Sequence, residues 1–148
     1  MGEIFIQIAK NKVFITTLYG WIIAQAIKVI IGVIRQKKFD FRWLIGTGGM
    51  PSSHAAGASC LACALGLEYG FGSPYFALAA SFAIVVMFDA QGVRRATGRQ
   101  ARILNKVMDD IYWRGRTSDG RLRELIGHTP VEVFAGALVG LIVAFLLR

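Results

Sequence analysis

His54 and His128 are the only histidines in this 148-residue chain, and each has neighbours suited to handling phosphate. His128 opens the segment HTPVEVFAGALVG, and Glu132 follows four residues later. On a helix that spacing is one turn and one face, so the carboxylate can hold the imidazole in one tautomer and raise its basicity. A histidine held that way is suited to nucleophilic attack. His54 closes the run GGMPSSH. The glycines let backbone approach a ligand, Pro51 suits a helix start, and Ser52 or Ser53 can cap the first turn. The exposed N–H groups and dipole of that turn favour an anion. Lys28 and Arg35 are seven residues apart, which places them on nearly the same helical face, about 10 Å from each other along the axis. Two imidazoles, a carboxylate, a cationic stripe and a capped helix start point to a phosphate-binding site.

The elements that must position these groups are membrane helices. The chain is 55% hydrophobic and 18% charged with a formal net charge of +8, the composition of a membrane protein with basic rims rather than of a soluble domain. Four apolar stretches, about 13–34, 54–71, 74–90 and 129–147, approach the roughly 20 residues that cross a hydrocarbon core. The first is too long for a signal-peptide core, contains Gln25 and Lys28, and is followed by no small-residue cleavage pattern, so it reads as a retained span. A lysine that merely snorkels needs no second cation on its face, whereas Lys28 has Arg35. With no repeat, low-complexity tract or linker, the expectation is a single membrane domain over 1–148: an all-α integral membrane bundle of about four spans. Ala56, Ser59, Cys63 and Gly66 on the second span, and Gly136 and Gly140 on the last, form small-residue faces for close helix contact. Cys60 and Cys63 belong to that packing, because a redox pair needs an accessible, electropositive setting. Four spans make a thin wall around a polar site, and the glycine face of the last helix offers a contact surface, so a homo-oligomer is expected.

The connection before the last span adds a further helix. Ile103, Leu104, Val107, Met108, Ile111 and Tyr112 recur at three-and-four spacing, while Arg95, Arg99, Arg102 and Lys106 lie mostly elsewhere. This predicts an amphipathic helix over about 94–113, lying in the membrane interface or extending the third span. Residues 94–123 carry nine basic side chains, yet nothing there resembles a recognition helix or a base-stacking surface, so no nucleic-acid partner is expected. Membrane lipids are the expected surroundings. Those nine residues share one side of the membrane with Arg35, Lys37, Lys38 and Arg42, against Lys10, Lys12 and Arg148 on the other. The bias of positive charge toward the cytoplasm places both termini outside and the histidines on the cytoplasmic face.

Taken in order, Lys28 and Arg35, then Pro51-Ser52-Ser53-His54, then His128 and Glu132 followed by Gly136 and Gly140, resemble the three-part signature of the type 2 phosphatidic acid phosphatase and vanadium haloperoxidase superfamily. The whole chain, including DAQGVRRATGRQA from Asp89, looks most like the divergent bacterial and plastid branch of that superfamily, which implies a bacterial cell membrane. The resemblance implies a phosphatase of the acid phosphatase type acting on phosphoric monoesters, with a lipid phosphate or pyrophosphate as substrate, or another phosphorylated small molecule. It implies that His128 attacks phosphorus to form a phosphohistidine, that Glu132 orients it, and that His54 protonates the leaving alkoxide and then activates water. Lys28, Arg35, Ser52, Ser53 and a third arginine would hold the phosphate oxygens, and no metal or other cofactor is required. The chain departs from the pattern at four places. Ser53 stands where a glycine is usual, Glu132 where an aspartate is usual, and Gln36 where a proline normally follows the first arginine. The third arginine falls on Leu122, which leaves Arg123, Arg94 or Arg95 to supply the charge.

Two other readings remain open at this point. A non-catalytic lipid-phosphate binder or carrier would keep the cations but need no attacking histidine, and a purely structural role would leave both histidines without a purpose. Separately, Asp89, Gly92, Arg94, Gly98, Asn105, Asp109 and Asp110 loosely resemble the acidic motif of metal-dependent membrane phosphotransferases, though their spacing does not match. Asp89 is better read as a partner for Arg94 or another arginine.

Overall fold

The computed structural model describes residues 2–39, 41, 49–111 and 128–147, with the side chains of 93–97 and 109–111 excepted. Six helices make up this part of the chain: α1 (Gly2–Lys10), α2 (Lys12–Gln36), α3 (Ser53–Tyr69), α4 (Pro74–Gln91), α5 (Val93–Ile111) and α6 (Pro130–Leu146). Among the described residues there is no strand, and the protein is an all-helical membrane bundle.

Helix boundaries follow local chemistry. Asn11 separates α1 from α2, and its side chain accepts a hydrogen bond from the Phe14 N–H at 3.0 Å, satisfying one of the donors that a helix start leaves open. The 25 residues of α2 span about 37 Å, more than a hydrocarbon core of roughly 30 Å. It ends at Lys37, which adopts a left-handed conformation and donates its N–H to the Val33 carbonyl at 2.8 Å. Ser52 caps α3, Ser73 with Pro74 starts α4, and Thr129 with Pro130 starts α6. The short turn between α3 and α4 begins at Gly70, whose φ of +89° suits a residue without a Cβ.

α3 lies at the centre, packed against α2, α4 and α6. Its buried positions are almost all small: Ser53, Ala55, Ala56, Ala58, Ser59, Cys60, Ala62, Cys63, Ala64 and Gly66. Large apolar residues such as Phe82, Val85 and Phe88 on α4, and Phe134, Ile142 and Phe145 on α6, point outward. A soluble bundle would bury those side chains. In lipid nothing drives them inward, and small residues that let backbones approach closely hold the helices together instead. A Cβ on Gly136 would collide with the Ser52 carbonyl, and one on Gly140 with the Ala56 carbonyl and the Ser59 hydroxyl. The Ser59 hydroxyl donates across this interface to the Ala137 carbonyl at 3.0 Å. On the other side of α3, the Cys60 thiol donates to the Thr16 carbonyl of α2 at 3.3 Å. Both cysteines are buried and form no disulfide, as the packing reading expects.

Of the four expected spans, α2 and α4 carry the length and hydropathy of a crossing helix on their own, while α6 is a shorter apolar helix. α3, with 17 residues, is enclosed by its three neighbours. The amphipathic helix runs over Val93–Ile111; Tyr112 and the rest of its expected end lie outside the described residues. Its apolar residues Ile103, Leu104, Val107 and Met108 face away from the bundle, while Gly98, Ala101 and Asn105 are buried. Helix α1 was not among the expected elements. Its nine residues bury none of their number, and a search for spans by length passes over so short a segment.

Candidate active site

The candidate site occupies one end of the bundle, where α2 and α4 finish and α3 and α6 begin. Three backbone contacts join these ends. The His128 N–H donates to the Ala90 carbonyl at the end of α4 at 3.1 Å, and the Ser52 N–H donates to the Glu132 carbonyl in the first turn of α6 at 2.9 Å. The third is the close approach of Gly136 to the Ser52 carbonyl. The caps of α3 and α6 are therefore bound to each other, which carries His54 toward His128.

His128 is 1% exposed. Its Nδ1 lies 3.2 Å from Glu132 Oε2, and the same oxygen accepts the Thr129 N–H at 2.9 Å while the Thr129 hydroxyl accepts the Glu132 N–H at 3.3 Å. This is a capping box. One carboxylate thus both caps the helix and contacts the His128 imidazole. The Glu132 side chain remains 22% exposed. The His54 and His128 rings have centroids 6.4 Å apart and planes inclined by 60°.

Lys28 is 7% exposed and does not snorkel outward. Its Nζ donates to Gln25 Oε1 at 3.0 Å and to the Ser53 hydroxyl at 3.3 Å. Ser52 is fully buried, and its hydroxyl accepts the Ala55 N–H at 3.3 Å as the cap of α3. The two serines thus divide the work: Ser52 caps the helix and Ser53 faces the lysine.

Arg35 stands apart from this cluster. It is exposed, about 10 Å farther along α2 than Lys28, and among the described residues it makes no hydrogen bond or ion pair to the histidines. Arg94 and Arg95 sit in the first turn of α5, just beyond the Ala90 end of α4, with their side chains outside the described residues. Arg123, with Arg121 and Leu122, lies outside the described residues altogether. Gln25 is the site residue that spacing did not single out. Its signal was a polar side chain inside a span, three residues before a lysine and on the same face. Among the described residues, no group of three or more His, Cys, Asp or Glu side chains is gathered as a metal would require; the side chains of Arg94, Asp109 and Asp110 in the acidic motif around Asp89 lie outside them.

Comparison with known proteins places these features in a wider group. A family model described as "Divergent PAP2 family" matches residues 9–143, a stretch that contains Lys28, both serines, both histidines and Glu132. The protein named "Uncharacterized membrane protein YuiD" of Bacillus subtilis (strain 168) is 38% identical over 152 residues, covering 95% of this chain and 96% of its own. No solved structure matches the chain.

Proposed function

Because this chain belongs to the divergent PAP2 family, we propose that it is a metal-independent phosphatase that hydrolyses a lipid phosphate or pyrophosphate through a phosphohistidine. The observation that carries this reading is the Glu132–His128 pair, 3.2 Å apart, facing His54 at a ring separation of 6.4 Å.

The chemistry follows from the tautomer. With its Nδ1–H donated to the Glu132 carboxylate, His128 keeps its lone pair on Nε2. Nε2 attacks phosphorus, an N–P bond forms, and the P–O bond to the lipid breaks as the protonated imidazole of His54 gives its proton to the departing alkoxide. Glu132 stabilises the positive charge that develops on His128. In the second half, His54, now neutral, takes a proton from water as the oxygen attacks phosphorus, the N–P bond breaks, and inorganic phosphate leaves. General acid–base assistance of this kind contributes about 10²- to 10⁴-fold. Lys28 and the N–H groups of the first turn of α3 stabilise the phosphate oxygens, donors whose worth rises in a site shielded from water. Arg94, Arg95, Arg123 and Arg35 are the arginines from which the remaining cation comes. A site at the rim of a membrane bundle lies at the depth of lipid headgroups, and the bias of positive charge supports a rim at the cytoplasmic face of a bacterial cell membrane.

The test is chemical. Protein solubilised in detergent is incubated with diacylglycerol phosphate or polyprenyl phosphate in the presence of chelator, and phosphate release is measured. His128→Ala abolishes release, and His54→Ala slows it or traps a phosphoenzyme detectable with labelled substrate. Release that survives His128→Ala overturns the nucleophile. Wild-type binding of the lipid phosphate without release supports the carrier reading instead.

A further inference from the structure

Lys28 has a flexible four-carbon stem and an ammonium with three equivalent donors, so nothing intrinsic to lysine aims it. Here its aim is set from three sides. Gln25, 8% exposed and one turn earlier on the same face of α2, accepts from Nζ at 3.0 Å. Ser53, the first residue of α3, accepts from Nζ at 3.3 Å. The backbone at Gly49 closes on the stem, where a Cβ would lie 3.5 Å from Lys28 Cγ and 3.7 Å from Cδ. Two of the three N–H groups are thus engaged, and tetrahedral geometry leaves one direction for the third.

We propose that Gln25 and Ser53 are positioning residues that hold the Lys28 ammonium with its remaining N–H directed at a phosphate bound beside His54, a proposal that rests on the phosphate-site reading above. The geometry explains why both are needed. Ser53 immediately precedes His54, so a lysine tethered to it stays beside the imidazole. A single tether to Ser53 would leave the ammonium free to rotate about that bond, and Gln25, on the lysine's own helix, removes the rotation. The pair also accounts for a serine at a position where the resembling superfamily has glycine: the hydroxyl faces the lysine and leaves the Ser53 N–H on the helix start. Preorganisation of this kind matters because the charge is ordered before the ligand arrives.

The decisive experiment measures binding of inorganic phosphate to the purified full-length protein by isothermal titration, with phosphate release from diacylglycerol phosphate followed separately. Gln25→Leu and Ser53→Ala each weaken phosphate binding by about tenfold, the size of one lost charge-assisted hydrogen bond. In a Lys28→Met background the positioning role predicts that the same two substitutions have no further effect on phosphate binding. Thermal unfolding of each variant verifies the fold, and Ser53→Ala, a small change at a helix start, is the variant least liable to disturb it. Binding unchanged by Gln25→Leu and Ser53→Ala, or weakened equally with and without Lys28, overturns the positioning role even if the wild type releases phosphate. A wild type that binds phosphate in the predicted pattern but releases none removes the phosphatase reading and leaves the positioning role standing. A wild type that binds no phosphate overturns both.

Discussion

Gly136→Ala adds one methyl group to α6 where the structure leaves no room for it. The new Cβ would strike the carbonyl of Ser52, and that carbonyl is fixed from both sides. It accepts the Ala56 N–H at 3.0 Å within α3, and the Ser52 N–H is itself bound to the Glu132 carbonyl at 2.9 Å. Backbone cannot rotate away as a side chain would, so the two helix starts must separate. Gly57→Ala provides the control, because a Cβ there meets only Trp21, at 3.7 Å, an ordinary van der Waals contact. Both substitutions gain the same helix propensity, up to about 1 kcal/mol, so the difference between them isolates the collision. Overpacking of this kind costs about 1–3 kcal/mol. The functional loss should be larger than stability alone indicates. Separation of the starts of α3 and α6 moves His54 from His128, and a displacement of about 1 Å in a catalytic arrangement can lower the rate about 10²-fold. The assay pairs thermal unfolding in detergent with kcat/KM for phosphate release. Gly136→Ala should be less stable than Gly57→Ala by about 1–3 kcal/mol and slower by on the order of 10²-fold. Equal stability and equal activity in the two variants would refute the claim that this contact holds the histidines together.

Thr129→Ala removes the cap of α6 while sparing the His128–Glu132 contact, so it should cost about 0.5–2 kcal/mol of stability and leave phosphate release within a few-fold. Glu132→Gln keeps an acceptor for the Thr129 N–H but loses the charge that stabilises His128 in its positive form, so release should fall far more than stability; similar losses in the two variants would reduce Glu132 to a cap. Lys38→Cys, at an exposed position beyond α2, should react with a membrane-impermeant maleimide in inside-out vesicles and not in intact bacterial cells, and the opposite pattern reverses the assigned orientation. Cys60→Ala and Cys63→Ala, alone or together, should leave phosphate release insensitive to reductant as in the wild type; an effect of oxidation that disappears in the double variant would assign the pair a redox role.

Parts of the fold were legible because they are local. The serine cap before His54, the periodic pattern of α5 and the small residues of α3 all express short-range geometry that spacing reports directly. Helix α1 escaped because its apolar residues, Ile4, Phe5 and Ile8, form a pattern too short to count as a span. For α5 the periodicity identified the helix but not its surroundings, and its apolar stripe faces away from the protein. Hydropathy alone also ranked α3 with the other spans, although a helix enclosed on three sides obtains its apolar environment from its neighbours.

The candidate site divides along the same line. His128 with Glu132, and Lys28 with Arg35, are pairs within single helices, so 3.6-residue periodicity places their members on one face before any tertiary contact is known. Even there the outcomes differ: the capping contact holds His128 to Glu132, whereas Arg35 stays exposed at the end of α2. The meeting of His54 with His128 and the wiring of Lys28 to Ser53 join residues far apart in the chain. They depend on which helix the Gly136 and Gly140 face packs against. Small residues announce that a close contact exists but carry no label for the partner. Packing supplied the partner, because only the α3–α6 approach binds the Ser52 N–H to the Glu132 carbonyl and sets the two histidines beside one another.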